Sequence, residues 1–78
     1  MKRINVNDFN YSERKGEILH CVELVTNDDE ERSLDLFEVK TEKEAIEKAE
    51  ELNQSNQDKR SKYISINYLV EKDGFSSC

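Results

Sequence analysis

Only one stretch of this 78-residue chain carries a helical signature, and that scarcity fixes how the rest can fold. Residues Thr41 to Leu52 read Thr-Glu-Lys-Glu-Ala-Ile-Glu-Lys-Ala-Glu-Glu-Leu. Thr41 followed three residues later by Glu44 is a capping box, in which the hydroxyl accepts an early helical N–H and the carboxylate reaches back toward the cap. Ala45, Ile46, Ala49 and Leu52 then recur at helical spacing on one side. That face is narrow and built of small residues, so the helix can lie close against a sheet. An isolated helix of this length is marginal in water, so the sheet must supply its stability.

The remaining apolar residues alternate, as half-buried strands require. Arg3 to Phe9 alternates weakly, with Ile4 and Val6 on one side. Asn10 to Gly16 is a polar connection ending in one of only two glycines. Glu17 to Thr26 is the longest strand candidate. Its Ile18, His20, Val22 and Leu24 point one way, and Leu19, Cys21, Glu23 and Val25 the other. Asn27 to Arg32 is a solvated turn by composition. In Ser33 to Lys40, Leu34 and Leu36 share one side while Phe37 and Val39 share the other, the mark of a β-bulge or of a strand apolar on both faces. The helix follows directly, and its pattern fades through Asn53 to Asp58, where Asn53 or Asn56 can take the left-handed conformation that ends a helix. Arg60 to Lys72 is the cleanest strand, with Ile64, Ile66, Tyr68 and Val70 on one side and Ser65, Asn67 and Leu69 on the other. Asp73-Gly74 then turns or frays the chain, and Phe75 is placed to fold back on the core.

These elements predict one small α+β domain over residues 1–78, with a mobile tail from about residue 73. The order is β-β-β-α-β: an antiparallel meander of three strands, then a helix-connected fourth strand, with the helix packed on one face of a two-layer sandwich. A helical crossover makes the fourth strand parallel to the third and the first. The favoured strand order is 4-1-2-3, with the fourth strand beside the third as the alternative.

Size and charge narrow the function. A chain this short holds one core and little room for a supported catalytic cleft. The net charge of −6 opposes direct binding of nucleic acid, which needs clustered Lys and Arg to neutralise phosphates. The acid is concentrated: Glu17 to Glu51 carries 13 acidic and 4 basic residues, whereas the flanking segments are mildly basic. The two cysteines, Cys21 and Cys78, form no disulfide or metal pattern. No apolar run approaches a signal-peptide core or a membrane span, which points to a reduced, cytoplasmic protein with no membrane partner.

Catalytic and metal chemistry find few candidates. His20 and Cys21 are adjacent on a strand, so their side chains diverge to opposite faces and cannot pair as base and nucleophile. A zinc site needs about four ligands at paired spacings, and none are supplied. Asp28, Asp29, Glu30 and Glu31 lack the alternating ligands and the turn glycine of a calcium loop. The glutamates of the helix surface lie in water and keep ordinary acidity, unsuited to general-acid work near neutral pH. The expectation is therefore a non-enzymatic protein with no metal and no cofactor.

Surface remains. Glu44, Glu47 and Glu51 line one edge of the helix at spacings of three and four, with Glu50 beside them. The bland reading is a solvated face that keeps a small protein soluble. The sharper reading joins these residues to Asp28, Asp29, Glu30 and Glu31 as a negative surface that docks on a basic groove of another protein. The alternative is a homodimer closed through the sheet face that the helix leaves open, using Leu19, Cys21, Val25 and either Phe37 and Val39 or Leu34 and Leu36, with a tail carrying Phe75 or Tyr11 as the competing cover. In size, acidity, lack of proline and Asn/Lys/Glu-rich composition, the chain resembles the small proteins that bacteriophages of AT-rich hosts make to inhibit host factors, including nucleic-acid mimics and anti-CRISPR proteins. The resemblance is one of composition and rests on no particular residues; the expectation from the charged surface itself is an inhibitor that occupies a basic, nucleic-acid-handling surface of a partner.

Overall fold

The computed structural model describes all residues from Met1 to Cys78. In chain order its elements are β1 (Lys2–Arg3), α1 (Tyr11–Arg14), β2 (Ile18–Thr26), β3 (Ser33–Val39), α2 (Glu42–Ser55), β4 (Ser61–Val70) and β5 (Phe75–Ser77). They build the expected α+β domain, a five-stranded antiparallel sheet with one main helix on one face.

The helix forms as its cap dictates. The Thr41 hydroxyl accepts the Glu44 N–H at 3.1 Å, and the Glu44 carboxylate reaches back to the Lys40 N–H at 3.3 Å. Ala45 and Ala49 are buried against Val22 and Val39, with Phe37, Leu52 and Tyr63 around them. Ile46, expected on this face, is 43% exposed. The i, i+4, i+7 stripe of Ala45, Ala49 and Leu52 aims at the sheet, and the next residue round the helix falls on its flank. The C-terminus differs from expectation as well. Asn56 ends the helix in extended backbone, with φ −76° and ψ 116°, not in the left-handed region.

The strand order is β1-β3-β2-β4-β5, replacing the expected 4-1-2-3. β4 does run in the same direction as β3, since both pair antiparallel with β2, but β2 lies between them. Fourteen helical residues span about 21 Å, close to the roughly 23 Å of a seven-residue strand. So α2 returns the chain to the end of the sheet where β2 finishes, and β4 starts there along the open edge of β2. The other outer position is taken by β1, which pairs with β3 through Lys2 and Arg3.

The ends of the chain depart furthest from the sequence reading. The strand expected over Arg3 to Phe9 stops at Arg3, because the Asn5 carbonyl and side chain close a turn onto the N–H groups of Asp8 and Asn7. Asn10 then caps the single turn of α1 by accepting the Glu13 N–H at 3.2 Å. The segment past Asp73 forms β5, paired with β4 from Tyr68 to Val70.

Both sheet faces are cores. Opposite α2 lie Ile4, Leu19, Cys21, Leu36 and Val70, packed by Phe9, Tyr11, Ile66, Tyr68 and Phe75. Phe75 is the hub of the aromatic cover, with ring centroids 5.1 Å from Phe9, 5.1 Å from Tyr11 and 5.6 Å from Tyr68. Arg14 fastens the covering segment: its guanidinium donates to both Glu38 oxygens at 3.0 and 2.8 Å, donates to Glu17, and lies 5.5 Å from the Phe9 ring.

Ahead of the stretch paired with β5, the outer edge of β4 is met by side chains at Ser61 and Tyr63. The Asn53 side chain donates to the Tyr63 carbonyl and accepts the Tyr63 N–H, both at 2.8 Å, and Asn56 donates to the Ser61 carbonyl at 3.2 Å. Two side chains from the end of α2 thus substitute for a neighbouring strand.

Candidate binding surfaces

The acidic residues singled out in sequence fall into two groups that the structure treats differently. Asp28 organises the β2–β3 turn. Its Oδ1 accepts the Thr26 hydroxyl at 2.9 Å and the N–H groups of Glu30 and Glu31 at 3.0 and 3.1 Å, and these bonds hold its carboxyl below the usual range. This network sustains the left-handed Glu31, at φ 44°. Arg32 lies 3.7 Å from Asp28 and 3.5 Å from Glu30, and Lys62 pairs with Glu31 at 3.2 Å. Only Asp29 of this loop has no ionic partner. The four acids of the loop thus face two cations, Arg32 and Lys62, and remain in excess.

The outer face of α2 is different. Five glutamates share it with two lysines. The only ion pairs are Lys43 with Glu47 at 4.0 Å and Lys48 with Glu51 at 3.5 Å, on long, exposed side chains. Such pairs are worth about 0.3–0.5 kcal/mol and leave the field of the face in place. Glu44 is committed to the cap, whereas Glu42 and Glu50 have no side-chain partner. No basic residue sits in the last turn to offset the helix dipole.

The self-association patch is corrected. Phe37 and Val39 lie on the α2 face of the sheet, opposite Leu19, Cys21 and Val25, so the five residues share no surface. Leu19, Cys21 and Val25 are already covered, at 2%, 0% and 2% exposure. The face expected to be open is closed by the chain's own aromatics, with both Tyr11 and Phe75 serving as the plug.

His20 and Cys21 do face opposite ways. His20 Nδ1 lies 2.9 Å from the Asn67 side-chain oxygen on the α2 side. On the other side, burial pushes the Cys21 thiol up to about 12, and the carboxylates of Glu38 and Glu23 add to the shift. A thiol so placed is almost wholly protonated near neutral pH and is a poor nucleophile. Both cysteines are free thiols, and no three His, Cys, Asp or Glu side chains converge in a metal-binding group. No helix is long and apolar enough to cross a membrane.

One site was not singled out from the sequence. Between the Asn5–Asp8 turn and the start of β3 lies a cleft of about 520 Å³, with Ile4, Leu36, Tyr68, Phe75 and Glu23 among its lining. A register shift between Leu24 and Val25 leaves Leu34 as an extra residue in β3, and its side chain is 54% exposed at the rim. A bulge in β3 was one of two readings of its pattern, but it falls at Leu34 and not between Leu36 and Phe37. Glu23 was legible as an acid amid Leu19, Cys21 and Val25 on one strand face, but what it faces depends on which strand lies beside β2.

No protein-family model matches the chain, and comparisons with curated proteins and with solved structures find no similar protein.

Proposed function

We propose that this is a non-enzymatic binding module that docks through the outer face of α2 on a basic surface of another protein, of the kind that handles nucleic acid. The observation that carries this reading is the excess negative charge of that face, five glutamates against two lysines. Glu42, Glu47, Glu50 and Glu51 project from a helix whose packing is complete without them, because Ala45, Ala49 and Leu52 make its contacts with the sheet. Acidic side chains toward the C-terminal half of a helix oppose its dipole, a local cost that a docking function accounts for. Complementary charge speeds encounter with a basic groove and competes there with phosphates. The separation of His20 from Cys21 and the protonated state of that thiol support a role without catalysis.

The test is affinity capture from a lysate, with wild type and the doubly reversed Glu47→Lys, Glu51→Lys protein as parallel baits. A partner retained by wild type at about 50 mM salt, and released at about 500 mM, is expected to be missed by the reversed bait. A partner held equally by both baits, or indifferent to salt, would refute the electrostatic reading.

A further inference from the structure

We propose that the cleft between the Asn5–Asp8 turn and the bulged start of β3 is a socket for one basic side chain of the partner, a lysine or arginine whose cationic head pairs with Glu23 and whose alkyl stem lies on Leu34 and Leu36. The inference rests on the reading of the protein as a module for a basic partner, and adds a specific anchor to it.

Glu23 carries the argument. It sits in the middle of the central strand, is 7% exposed, and has a single protein partner, the Tyr68 hydroxyl, which donates to Oε1 at 2.8 Å. Its Oε2 has no protein partner, and no side-chain oxygen is both sealed from solvent and unpartnered, so that oxygen opens on the cleft. A carboxylate this far out of water is costly unless a cation compensates it. The chain does not supply one. Arg3, at the rim, gives its Nε to Asp35 at 2.7 Å, Arg14 is committed to Glu38 and Glu17, and Lys62 to Glu31.

The walls suit the rest of such a side chain. Leu34 is turned out by the bulge, and Val6 across the cleft is 47% exposed, so the entrance offers apolar surface beside the paired Arg3 and Asp35, with a carboxylate at the floor. Lysine and arginine have that division, an apolar stem ending in a cation. The volume lies within the range of small binding sites.

The test is an amide-resolved NMR titration of the full chain with n-butylammonium and n-butylguanidinium, with 1-butanol as the uncharged control. We expect saturable shifts from either cation at Glu23, Leu34, Leu36 and Tyr68 at millimolar concentration, and none from butanol. Glu23→Gln keeps an acceptor for Tyr68 but removes the charge, and is expected to weaken binding at least tenfold. Leu34→Lys, at a position 54% exposed, is expected to do the same by repulsion. Shifts absent from the cleft, or equal affinity in either variant, would overturn the proposal and leave Glu23 and Tyr68 a purely structural pair. The titration reads the cleft alone, and capture with the charge-reversed helix reads the docking face. Cleft binding with capture indifferent to helix charge would remove the helix reading and keep the socket; charge-dependent capture with a silent cleft would do the reverse.

Discussion

Replacing Phe75 with Ala removes the hub of the cover over the second sheet face. The ring touches Phe9, Tyr11 and Tyr68 at centroid distances between 5.1 and 5.6 Å and packs on the cluster of Ile4, Leu19, Cys21, Leu36 and Val70. A fully buried Phe→Ala change costs about 3–5 kcal/mol. Phe75 is half-buried, so about 2–3 kcal/mol is the expected loss, including the aromatic pairs, each worth about 0.5–1.5 kcal/mol. A domain of this length has about 4–12 kcal/mol in total, so the loss is a large share. In urea, with a slope of about 1–1.5 kcal/mol/M for so small a chain, the midpoint should fall by about 2 M. The same variant should bind a hydrophobic dye and self-associate, because the apolar face is then open. Helical circular dichroism should persist below the transition, since α2 packs on the other face. A midpoint shift below about 0.3 M would refute the claim that Phe75 closes this core.

Three further outcomes follow from named contacts. Arg14 holds the Glu38 carboxyl below its usual range, so this pair contributes stability that is present above the ordinary carboxyl pKa and is lost as pH falls through the lower folded value. Arg14→Met should therefore cost about 1 kcal/mol near neutral pH, discounted for partial exposure, and should show a shallower loss of stability on acidification below about pH 4.5; a parallel pH profile would contradict the coupling. Asn53→Ala leaves the Tyr63 N–H and carbonyl without protein partners at an edge that water can reach, and should cost about 1 kcal/mol in urea unfolding, against near zero if water replaces the amide fully. In thiol labelling at neutral pH, Cys78 should react within the mixing time and Cys21 only at the rate of opening; rapid modification of both would show the second core to be open.

What the sequence made legible was local. The Thr41–Glu44 cap, the Ala45 and Ala49 stripe, and the alternation of Ile64, Ile66, Tyr68 and Val70 are carried by neighbouring residues, and these elements form as read. The two apolar faces of β3 were also visible, whereas the bulge falls at Leu34 and not at the change of phase between Leu36 and Phe37. What depended on distant partners was not. β1 is two residues long, since Asn5 uses its carbonyl and side chain to close a turn that competes with the ladder, and weak alternation could not reveal that contest. The strand order depends on which edge of the meander β4 joins, and no local pattern within β4 marks that edge. The Arg14–Glu38 clasp and the Glu23 cleft join residues from separate elements, so neither acquires meaning until β2 has its neighbours. The acidic site was read as one surface; its loop half pairs with Arg32 and Lys62 and its helix half with Lys43 and Lys48, and acids outnumber cations in both.

The most direct measurement of the docking reading is the association rate with a captured, purified partner, compared between wild type and the Glu47→Lys, Glu51→Lys protein at about 50 and 300 mM salt. Steering by the α2 face predicts an association rate at least tenfold slower for the reversed protein at low salt, with the difference shrinking at high salt and dissociation changing less. Equal association rates at low salt would contradict it.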